Sequence, residues 1–353
     1  MKPKPKKKNG APSADLAVLG EIVERFSSKR VVLFGDFVSD EFQYGEISRV
    51  SREAPVLILR HRETRLAPGG GANAANNFSA LGAHVAAITV VGDDASGDAL
   101  IHYFRDHHMD TSGVVRAKGW VTPTKARFLA GWTHTTAQQV LRVDREPGAA
   151  PPEASLKKAF GKLKAKLRSA DALAISDYGF GVASPNSVRS ALDSMKRDVP
   201  VTLDARFGLN GYAKAGINSA TPNEAELEAL HHTPIGRNTE ELKRCALATL
   251  EEMKLKALLV TRGRDGMALF EREGERMTAI PVHGSDQAVD VTGAGDTVLA
   301  TYTLALASGA SYLEAAHLAN IAGGMVVMKR GTATVTRQEL LEAIRQEISG
   351  AAS

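Results

Sequence analysis

The segment DVTGAGDTV, at residues 290–298, places two acids on either side of a turn of small residues. The apolar run VLATYTLAL, at 298–306, follows at once and is typical of a buried helix. The first turn of a helix has unpaired backbone N–H groups and partial positive charge, so it attracts anions. Because Gly293, Ala294 and Gly295 are small, the pattern predicts an anion site where a ligand approaches the backbone closely.

Asp296 lies at the mouth of this predicted anion site. A fixed carboxylate there would repel a phosphate, so its presence indicates a separate chemical role. The role that fits is to accept the proton of a hydroxyl group that attacks phosphorus. The local sequence equally allows Asp296 to be only a helix cap and the glycines to form only a tight turn.

The whole chain has the composition of a soluble globular protein. It has 353 residues, of which 43% are hydrophobic and 24% charged, and this length suits one large domain or two. The single cysteine, Cys245, cannot form an internal disulfide. No apolar run reaches the roughly 18 residues of a membrane span, and the N-terminus lacks a signal-peptide core. We therefore expect a cytoplasmic protein with no membrane partner.

The net charge of +4 comes from the N-terminus. Residues 1–8, MKPKPKKK, hold five lysines, and the chain without them has 39 basic and 40 acidic residues. Such a Pro/Lys segment is typical of disorder, so residues 1–14 are predicted to form a disordered basic tail. Such a charge favours an anionic surface, but no other part of the chain supports nucleic-acid binding.

Strands and helices alternate along most of the remaining chain. The apolar runs RVVLFGDF at 30–37, DALAISDY at 171–178 and ALLVTRG at 257–263 predict buried parallel strands. This alternation predicts one α/β domain over residues 15–350, with a mostly parallel central sheet covered by helices on both faces. Mixed, partly alternating segments at about 40–65 and 115–145 are predicted to form a small β-sheet lid.

Other nucleotide-binding signatures fit poorly. The only Gly-Lys pair, at 161–162, is followed by leucine, so the P-loop pattern is absent. The glycines at 69–71 formally match a dinucleotide fingerprint, but the segment before them is charged and not a buried strand. A nicotinamide-dependent enzyme is therefore not favoured.

Five segments, taken together and in order, resemble the ribokinase-like (PfkB) carbohydrate kinases. They are GDF…D at 35–40, PGGGANAANNFSALGA at 68–83, TPNEAEL at 221–227, LLVTRGRDGM at 258–267 and DVTGAGDTV. The resemblance covers nearly the whole chain after the tail, and it implies a three-layer α/β sandwich with a β lid. It also implies an enzyme that transfers phosphate from ATP to a sugar hydroxyl.

Within the family, the chain is most similar to the kinases of D-glycero-β-D-manno-heptose 7-phosphate. The segments that carry this likeness are YGEISRVSREAPV at 44–56, QQVLRVDRE at 138–146, SDY at 176–178 and KRGTATV at 329–335. The likeness implies formation of the 1,7-bisphosphate on the way to ADP-heptose and lipopolysaccharide precursors. Because the sequence stops soon after the last segment, we expect no fused nucleotidyltransferase domain.

The resemblance also implies roles for individual residues. Asp296 matches the catalytic base, and the N–H groups of Gly293, Ala294, Gly295 and Asp296 match the anion hole. Residues matching the ATP and Mg²⁺ side are Asn223, Glu226, Thr261, Arg262, Gly263 and Asn320, with Asn223 and Glu226 acting on the metal through water. Asp290 and Gly331 match the surroundings of a monovalent-cation site that would take K⁺.

On the sugar side, the matching positions are Asp36, Asp40, Gly70, Asn73 and Asn77, and candidate cations for a distal phosphate are Lys125, Arg127, Arg142 and Arg206. Each of these cations equally suits an ordinary lid surface. Two departures leave the sugar open: the heptose kinases have lysine where this chain has Phe180, and again where it has Arg206.

Two other functions stay open at this stage. The first is the same transfer to another acceptor, such as fructose, ribose or a nucleoside. The second is a non-catalytic sensor that binds a sugar phosphate or nucleotide. The exposed edges of the predicted lid strands also favour a homodimer formed through the lid.

Overall fold

A computed structural model describes residues 15–132, 137–195, 197–285 and 287–351. The predicted tail at 1–14 lies outside these ranges. The strands are β1 (Arg30–Gly35), β2 (Phe37–Val50), β3 (Leu57–Gly70), β4 (His84–Gly92), β5 (Val114–Ala117), β6 (Thr124–Gly131), β7 (Gln138–Arg145), β8 (Ala172–Asp177), β9 (Val201–Ala205), β10 (Ser219–Ala220), β11 (Ala257–Thr261), β12 (Met267–Glu271) and β13 (Arg276–Ile280). The helices are α1 (Leu16–Glu24), α2 (Gly71–Ala80), α3 (Ala95–Asp106), α4 (Glu153–Leu167), α5 (Pro185–Leu192), α6 (Glu224–His231), α7 (Thr239–Met253), α8 (Ala294–Ala307), α9 (Tyr312–Val326) and α10 (Arg337–Ala351).

The larger sheet has the strand order β13-β12-β11-β10-β9-β8-β1-β4-β5. Its strands pair in parallel from β5 to β11, and β12 and β13 extend it as antiparallel hairpins. The mostly parallel sheet follows from the alternation of strands and helices along the chain. The strand at 114–117 pairs with β4 in this sheet, although it falls at the start of a segment predicted to belong to the lid.

Two apolar layers lie on opposite faces of the larger sheet. In β1, Val31 and Leu33 face the layer that contains α1, α2, α3, α8, α9 and α10, whereas Val32 and Phe34 face the layer that contains α4, α5, α6 and α7. This alternation is the two-residue period of a strand buried on both sides. The predicted three-layer α/β sandwich is confirmed.

The smaller sheet, called the lid sheet below, has the order β3-β2-β6-β7. β2 begins two residues after β1 ends, and β3 ends at Gly70, directly before α2. Every residue of β7 is exposed, as expected for the edge strand of a sheet that stands away from the core. The lid sheet is therefore connected to the larger sheet at the edge where β1 ends.

None of the helices in the described ranges combines the length and apolar composition that a membrane span requires.

Candidate active site

The carboxyl ends of the parallel strands meet at one edge of the larger sheet, where open α/β sheets bind ligands. Asp177 ends β8, Ala205 ends β9 and Thr261 ends β11. The N-terminus of α8 lies at the same edge, because its first-turn residues Gly295 and Asp296 line one cavity together with Thr261. The topology thus gathers segments that are far apart in sequence.

The start of α8 requires glycine at one position and leaves space at another. Gly293 has φ +78°, and a Cβ atom there would lie 2.4 Å from the side-chain nitrogen of Asn73. A Cβ at Gly295 would meet nothing within 4 Å. The Ala294 N–H already donates to the Val291 carbonyl at 3.3 Å. In the predicted anion hole, the donors that remain in the first turn are therefore the N–H groups of Gly295 and Asp296.

Asp296 is buried, and two side chains hold its carboxylate. Asn73 Nδ2 donates to Oδ2 at 2.7 Å, and the Tyr178 hydroxyl donates to Oδ1 at 3.2 Å. Burial raises the pKa of Asp296 to about 7, although the two hydrogen bonds oppose this rise. A carboxylate whose pKa lies near neutrality is well matched to act as a general base.

Asn73 and Asn77 lie on α2, and both connect it to α8. Besides the contact between Asn73 and Asp296, the Thr297 hydroxyl donates to Asn77 Oδ1 at 2.8 Å. Asn77 also donates to the Asn73 carbonyl at 2.9 Å. Both asparagines are fully buried, and the side chain of Asn77 contacts Thr297 and Asn73, the neighbours of the Asp296 carboxylate.

A polar cavity of about 300 Å³ opens in front of Asp296. Its lining includes Asp204, Arg206, Asn223 and Glu226. Burial raises the pKa of Asp204 well above its usual value, and the nearby Glu226 and Asp296 raise it further. Burial also raises the pKa of Glu226. Three carboxylates thus surround a small space. A cation or a hydrogen-bonding ligand in this space would stabilise them.

Neither Asp204 nor Tyr178 was predicted to belong to the site. Asp204 is the fourth residue of the buried strand VTLDA, where an acid is unusual, and this signal could have identified it. Tyr178 belongs to the segment SDY, and nothing in its local sequence indicates that its hydroxyl reaches a helix 118 residues away.

Asn223 and Glu226 form a reciprocal cap at the start of α6. Asn223 Oδ1 accepts from the Glu226 N–H at 2.8 Å, and Glu226 Oε2 accepts from the Asn223 N–H at 2.8 Å. This capping box fixes both side chains, and both line the polar cavity. In the described residues, no group of three or more His, Cys, Asp or Glu side chains is arranged to hold a metal ion by itself. A Mg²⁺ ion here would therefore need phosphate oxygens or water as further ligands, which is its common habit.

A second, largely apolar cavity of about 180 Å³ adjoins the polar one. Thr261 and Gly295 line both cavities. Its other walls are mostly small or apolar; they include Gly263, Val282, Val291, Ala294, Val298, Gly323 and Val327. Asn320 lines it as well and donates to the Pro281 carbonyl at 2.8 Å. The pair of cavities suits a flat base joined to a polyphosphate.

Arg262, which is predicted to lie beside a nucleotide, forms an ion pair. Its guanidinium pairs with Glu224 at 2.8 Å, and it lines neither cavity. Arg264 lines the apolar cavity instead. The chain turns at Gly263 with φ +54°, which accounts for the change of side between the two arginines.

Asp36 and Asp40, both predicted to lie near a sugar, make different contacts. Asp36 accepts the backbone N–H groups of Tyr178, Phe180 and Val182, each at 2.9 Å. Its carboxylate thus holds the loop after β8, and burial raises its pKa to about 6. Asp40 is buried and pairs with Arg127 at 2.6 Å.

Gly70 marks the sharp passage from the lid sheet into α2. It has φ +54°, and a Cβ there would lie 2.9 Å from Val38 and 3.2 Å from the Tyr178 ring. Only glycine allows these close approaches. Gly70 therefore lets the lid sheet, α2 and the Tyr178 ring approach one another closely.

The four predicted cations lie close enough to influence one another, and two of them form ion pairs with carboxylates. Arg127 pairs with Asp40, and Arg142 pairs with Asp144. Lys125 and Arg206 make no ion pair within the part of the chain that is described. Burial lowers the pKa of Lys125, and repulsion from the three arginines contributes although Asp40 opposes it. This cluster would gain from an anionic ligand.

Asp290 and Gly331, predicted near a monovalent cation, are in direct contact. Asp290 Oδ2 accepts from the Gly331 N–H at 2.9 Å, and Oδ1 accepts from the Thr292 N–H at 2.9 Å. Burial alone would raise the pKa of Asp290, but these hydrogen bonds outweigh it and the pKa is lowered. The carboxylate is therefore ionised just before the turn that leads into α8.

Comparison with known proteins gives a consistent result. The profile described as "pfkB family carbohydrate kinase" matches residues 28–339. The bifunctional protein HldE of Geobacter sulfurreducens is 36% identical over 315 residues, which is 89% of this chain and 62% of that protein. The bifunctional protein HldE of Trichlorobacter lovleyi is 34% identical over 335 residues, or 94% of this chain and 66% of that protein. The chain thus spans about two thirds of the length of these relatives.

Solved structures share the fold at lower identity. The ribokinase of Arabidopsis thaliana, complexed with ribose and ATP, superposes with a TM-score of 0.67 at 20% identity, covering 90% of this chain and 99% of that one. Phosphofructokinase-2 of Escherichia coli, in complex with substrates and products, has a TM-score of 0.71 at 18% identity and covers the same 90% of this chain and 99% of its own.

Proposed function

Because the chain belongs to the pfkB family of carbohydrate kinases, we propose that it transfers the terminal phosphate of ATP to a hydroxyl group of a sugar phosphate. The observation that carries this proposal is the position of Asp296. Its buried carboxylate stands at the N-terminus of α8 and lines the polar cavity, which shares Thr261 and Gly295 with the adjoining apolar cavity. The apolar cavity suits adenine, and the polar cavity suits the phosphates.

In the proposed reaction, Asp296 removes the proton of the acceptor hydroxyl. The oxygen forms a bond to the γ-phosphorus while the bond from that phosphorus to the β,γ-bridging oxygen breaks, and ADP leaves with the electron pair. The N–H groups of Gly295 and Asp296 stabilise the charge on the transferring group. Since the proposed base and the anion site belong to one helix turn, both are positioned together.

The residues around the polar cavity fit a magnesium ion. Asp204 and Glu226 supply oxygen atoms, and burial raises the pKa of both groups, so a cation beside them would stabilise their ionised forms. Asn223 and Glu226 would hold the ion, largely through water, with Asp204 nearby. When bound, Mg²⁺ neutralises the charge of the ATP phosphates. Asp290 and Gly331 are proposed to lie beside a K⁺ ion.

The proposed acceptor is D-glycero-β-D-manno-heptose 7-phosphate. The likeness of residues 44–56 and 138–146 to the heptose kinases supports it, as does the similarity to the HldE proteins. Lys125 and Arg206 support an acceptor that carries its own phosphate, because they lie close enough to repel each other and neither forms an ion pair with any described residue. Asp40, Asn73 and the turn at Gly70 are proposed to face the sugar ring.

The test is to incubate the protein with ATP, Mg²⁺ and this heptose phosphate, and to identify the product by mass spectrometry and ³¹P NMR. We expect the 1,7-bisphosphate. Fructose, fructose 6-phosphate, ribose and a nucleoside serve as competing acceptors in the same assay. Transfer to one of these and not to the heptose would favour the alternative of another sugar kinase.

Tight binding of a sugar phosphate without any phosphorylated product would favour the non-catalytic sensor. Asp296→Asn protein, purified and assayed in the same way, controls for a contaminating kinase. The activity of a contaminant would remain in that preparation. We further propose a cytoplasmic location and a homodimer formed through the lid sheet. Large apolar side chains such as Leu57, Leu141 and Val143 are exposed there, and sedimentation of a Leu141→Lys variant would test the dimer.

A further inference from the structure

We propose that the Tyr178 hydroxyl positions the Asp296 carboxylate for proton abstraction, an inference that rests on the proposed kinase function. The phenol donates to Oδ1 at 3.2 Å, and the Asn73 amide donates to Oδ2 at 2.7 Å. The two donors come from different elements, the loop after β8 and the helix α2. One donor on each oxygen fixes the plane of the carboxylate, which a single hydrogen bond would not do.

Tyr178 is itself held from three sides. Its backbone N–H donates to Asp36 at 2.9 Å, and the Lys125 ammonium lies over its ring, 5.4 Å from the centroid. The close approach at Gly70 restricts the ring further, since a Cβ there would lie 3.2 Å from it. The hydroxyl is therefore delivered to Asp296 by a rigid ring, and the same ring lines the polar cavity.

This arrangement links the base to the cation proposed for the acceptor phosphate. Lys125, on β6 of the lid sheet, contacts one face of the Tyr178 ring, and the hydroxyl at the end of that ring contacts the base. Arg206 also lies near the phenol and opposes the rise in its pKa that burial and Asp296 cause. The phenol stays protonated and remains a donor.

The charges around Asp296 explain why a second donor is useful. Besides burial, Asp40 on β2 raises the pKa of Asp296, and the neighbouring Asp204 on β9 carries a further carboxylate; Lys125 lowers it. The donors Asn73 and Tyr178 also lower this pKa, and the balance is about 7. Without the phenol, more of the carboxyl group would be protonated at neutral pH and unable to act as a base.

The experiment compares Tyr178→Phe with a matched control, Tyr212→Phe. Tyr212 is a buried tyrosine whose hydroxyl donates to Asp177 at 2.7 Å, so its variant also loses one buried phenol hydrogen bond. The pKa of Asp296 is measured by ¹³C NMR of labelled aspartate, with Asp296→Asn used for assignment. Loss of a hydrogen bond to an ionised group raises that pKa by about one unit in Tyr178→Phe, and Tyr212→Phe leaves it unchanged.

The kinetic counterpart is the pH profile of phosphate transfer. In Tyr178→Phe the acid limb of kcat/KM moves up by about one unit, so the rate at pH 7 falls about fivefold and recovers as the pH is raised. An unchanged pKa of Asp296, or a loss of rate that is equal at every pH, would overturn the proposal. A raised pKa without phosphorylation of any sugar would instead uphold the contact and refute the kinase function.

Discussion

The two adjoining cavities differ in what their walls can do. The polar cavity is lined by Asp204, Glu226 and Asp296, whose pKa values are all raised by burial. The apolar cavity is lined mainly by glycine, alanine and valine, with Asn320 tied to a backbone carbonyl. The first therefore contains groups that can take up a proton or face a cation, whereas the second offers shape and little chemistry.

This difference suggests a division of labour between the two cavities. Changes in the polar cavity should act on the rate of transfer, because only interactions that strengthen in the transition state raise kcat. Changes in the apolar cavity should act on the binding of ATP, because contacts with adenine are the same before and during transfer. Gly295 and Thr261 line both cavities, so the boundary between the two effects lies at these residues.

The largest expected effect is that of Asp296→Asn. The amide keeps the shape of the side chain but cannot accept a proton, so kcat falls roughly 10²–10⁴-fold. Because Asp296 lines only the polar cavity, the dissociation constant for ATP, measured by calorimetry, stays close to that of the wild type. Steady-state assays of ADP release give kcat.

The matched control is Asp110→Asn. Asp110 lies at the opposite edge of the larger sheet, beside Ala86, and pairs with Lys166. Its variant keeps normal turnover. Near-normal turnover in Asp296→Asn would show that Asp296 is not the base. It would also contradict the expectation that changes in the polar cavity act on kcat.

The next largest effect is expected at Gly295, which lines both cavities. Gly295→Val adds a side chain where no atom lies within 4 Å of the Cβ position, so folding is not opposed. The side chain would fill space that ATP needs, and overpacking of this kind costs about 1–3 kcal/mol. KM for ATP therefore rises roughly 10- to 100-fold. Gly161→Val, at another helical glycine with open space around it, controls for the change in helix propensity.

A smaller effect concerns pH. The pKa of Asp296 is raised to about 7, and the base is active only when ionised, so the rate falls as the pH drops through this value. One unit below the pKa, about a tenth of the carboxyl groups are ionised, and kcat/KM is about tenfold below its plateau. The profile is flat above the pKa until another group titrates. An acid limb near the ordinary value of aspartate would show that Asp296 is not the titrating base.

The sequence predicted the fold and the start of α8 because these depend on local patterns. Strand–helix alternation indicated the parallel sheet, and GAGD followed by an apolar run indicated a helix N-terminus with Asp296 in its first turn. The assignment of 114–117 to the lid was wrong because a short strand does not reveal its partner. Its pairing with β4 is decided by the position of β4 in the sheet.

Contacts between distant side chains could not be predicted in this way. The hydrogen bond from Asn73 to Asp296 joins residues 223 positions apart, and that from Tyr178 joins residues 118 positions apart. The family resemblance brought Asn73 close to the site but gave no partner for it. Tyr178 and Asp204 were missed because their roles arise only when β8, β9 and α8 meet at one edge of the sheet.

The smallest expected effect is that of Arg262→Met, which tests the limit of the apolar cavity. The family resemblance implied that Arg262 lies beside the nucleotide, but its guanidinium pairs with Glu224 and lines neither cavity. Removing Arg262 leaves the largely buried Glu224 without this partner, and the cost falls on the stability of the start of α6 and not on either cavity. KM for ATP should therefore change by less than about fivefold. Arg264→Met is the matched variant, because Arg264 does line the apolar cavity, and it should raise KM for ATP more than Arg262→Met does. If Arg262→Met had the larger effect, the arginine would have to leave Glu224 when ATP binds, and the walls of the apolar cavity would be set by the ligand as well as by the fold.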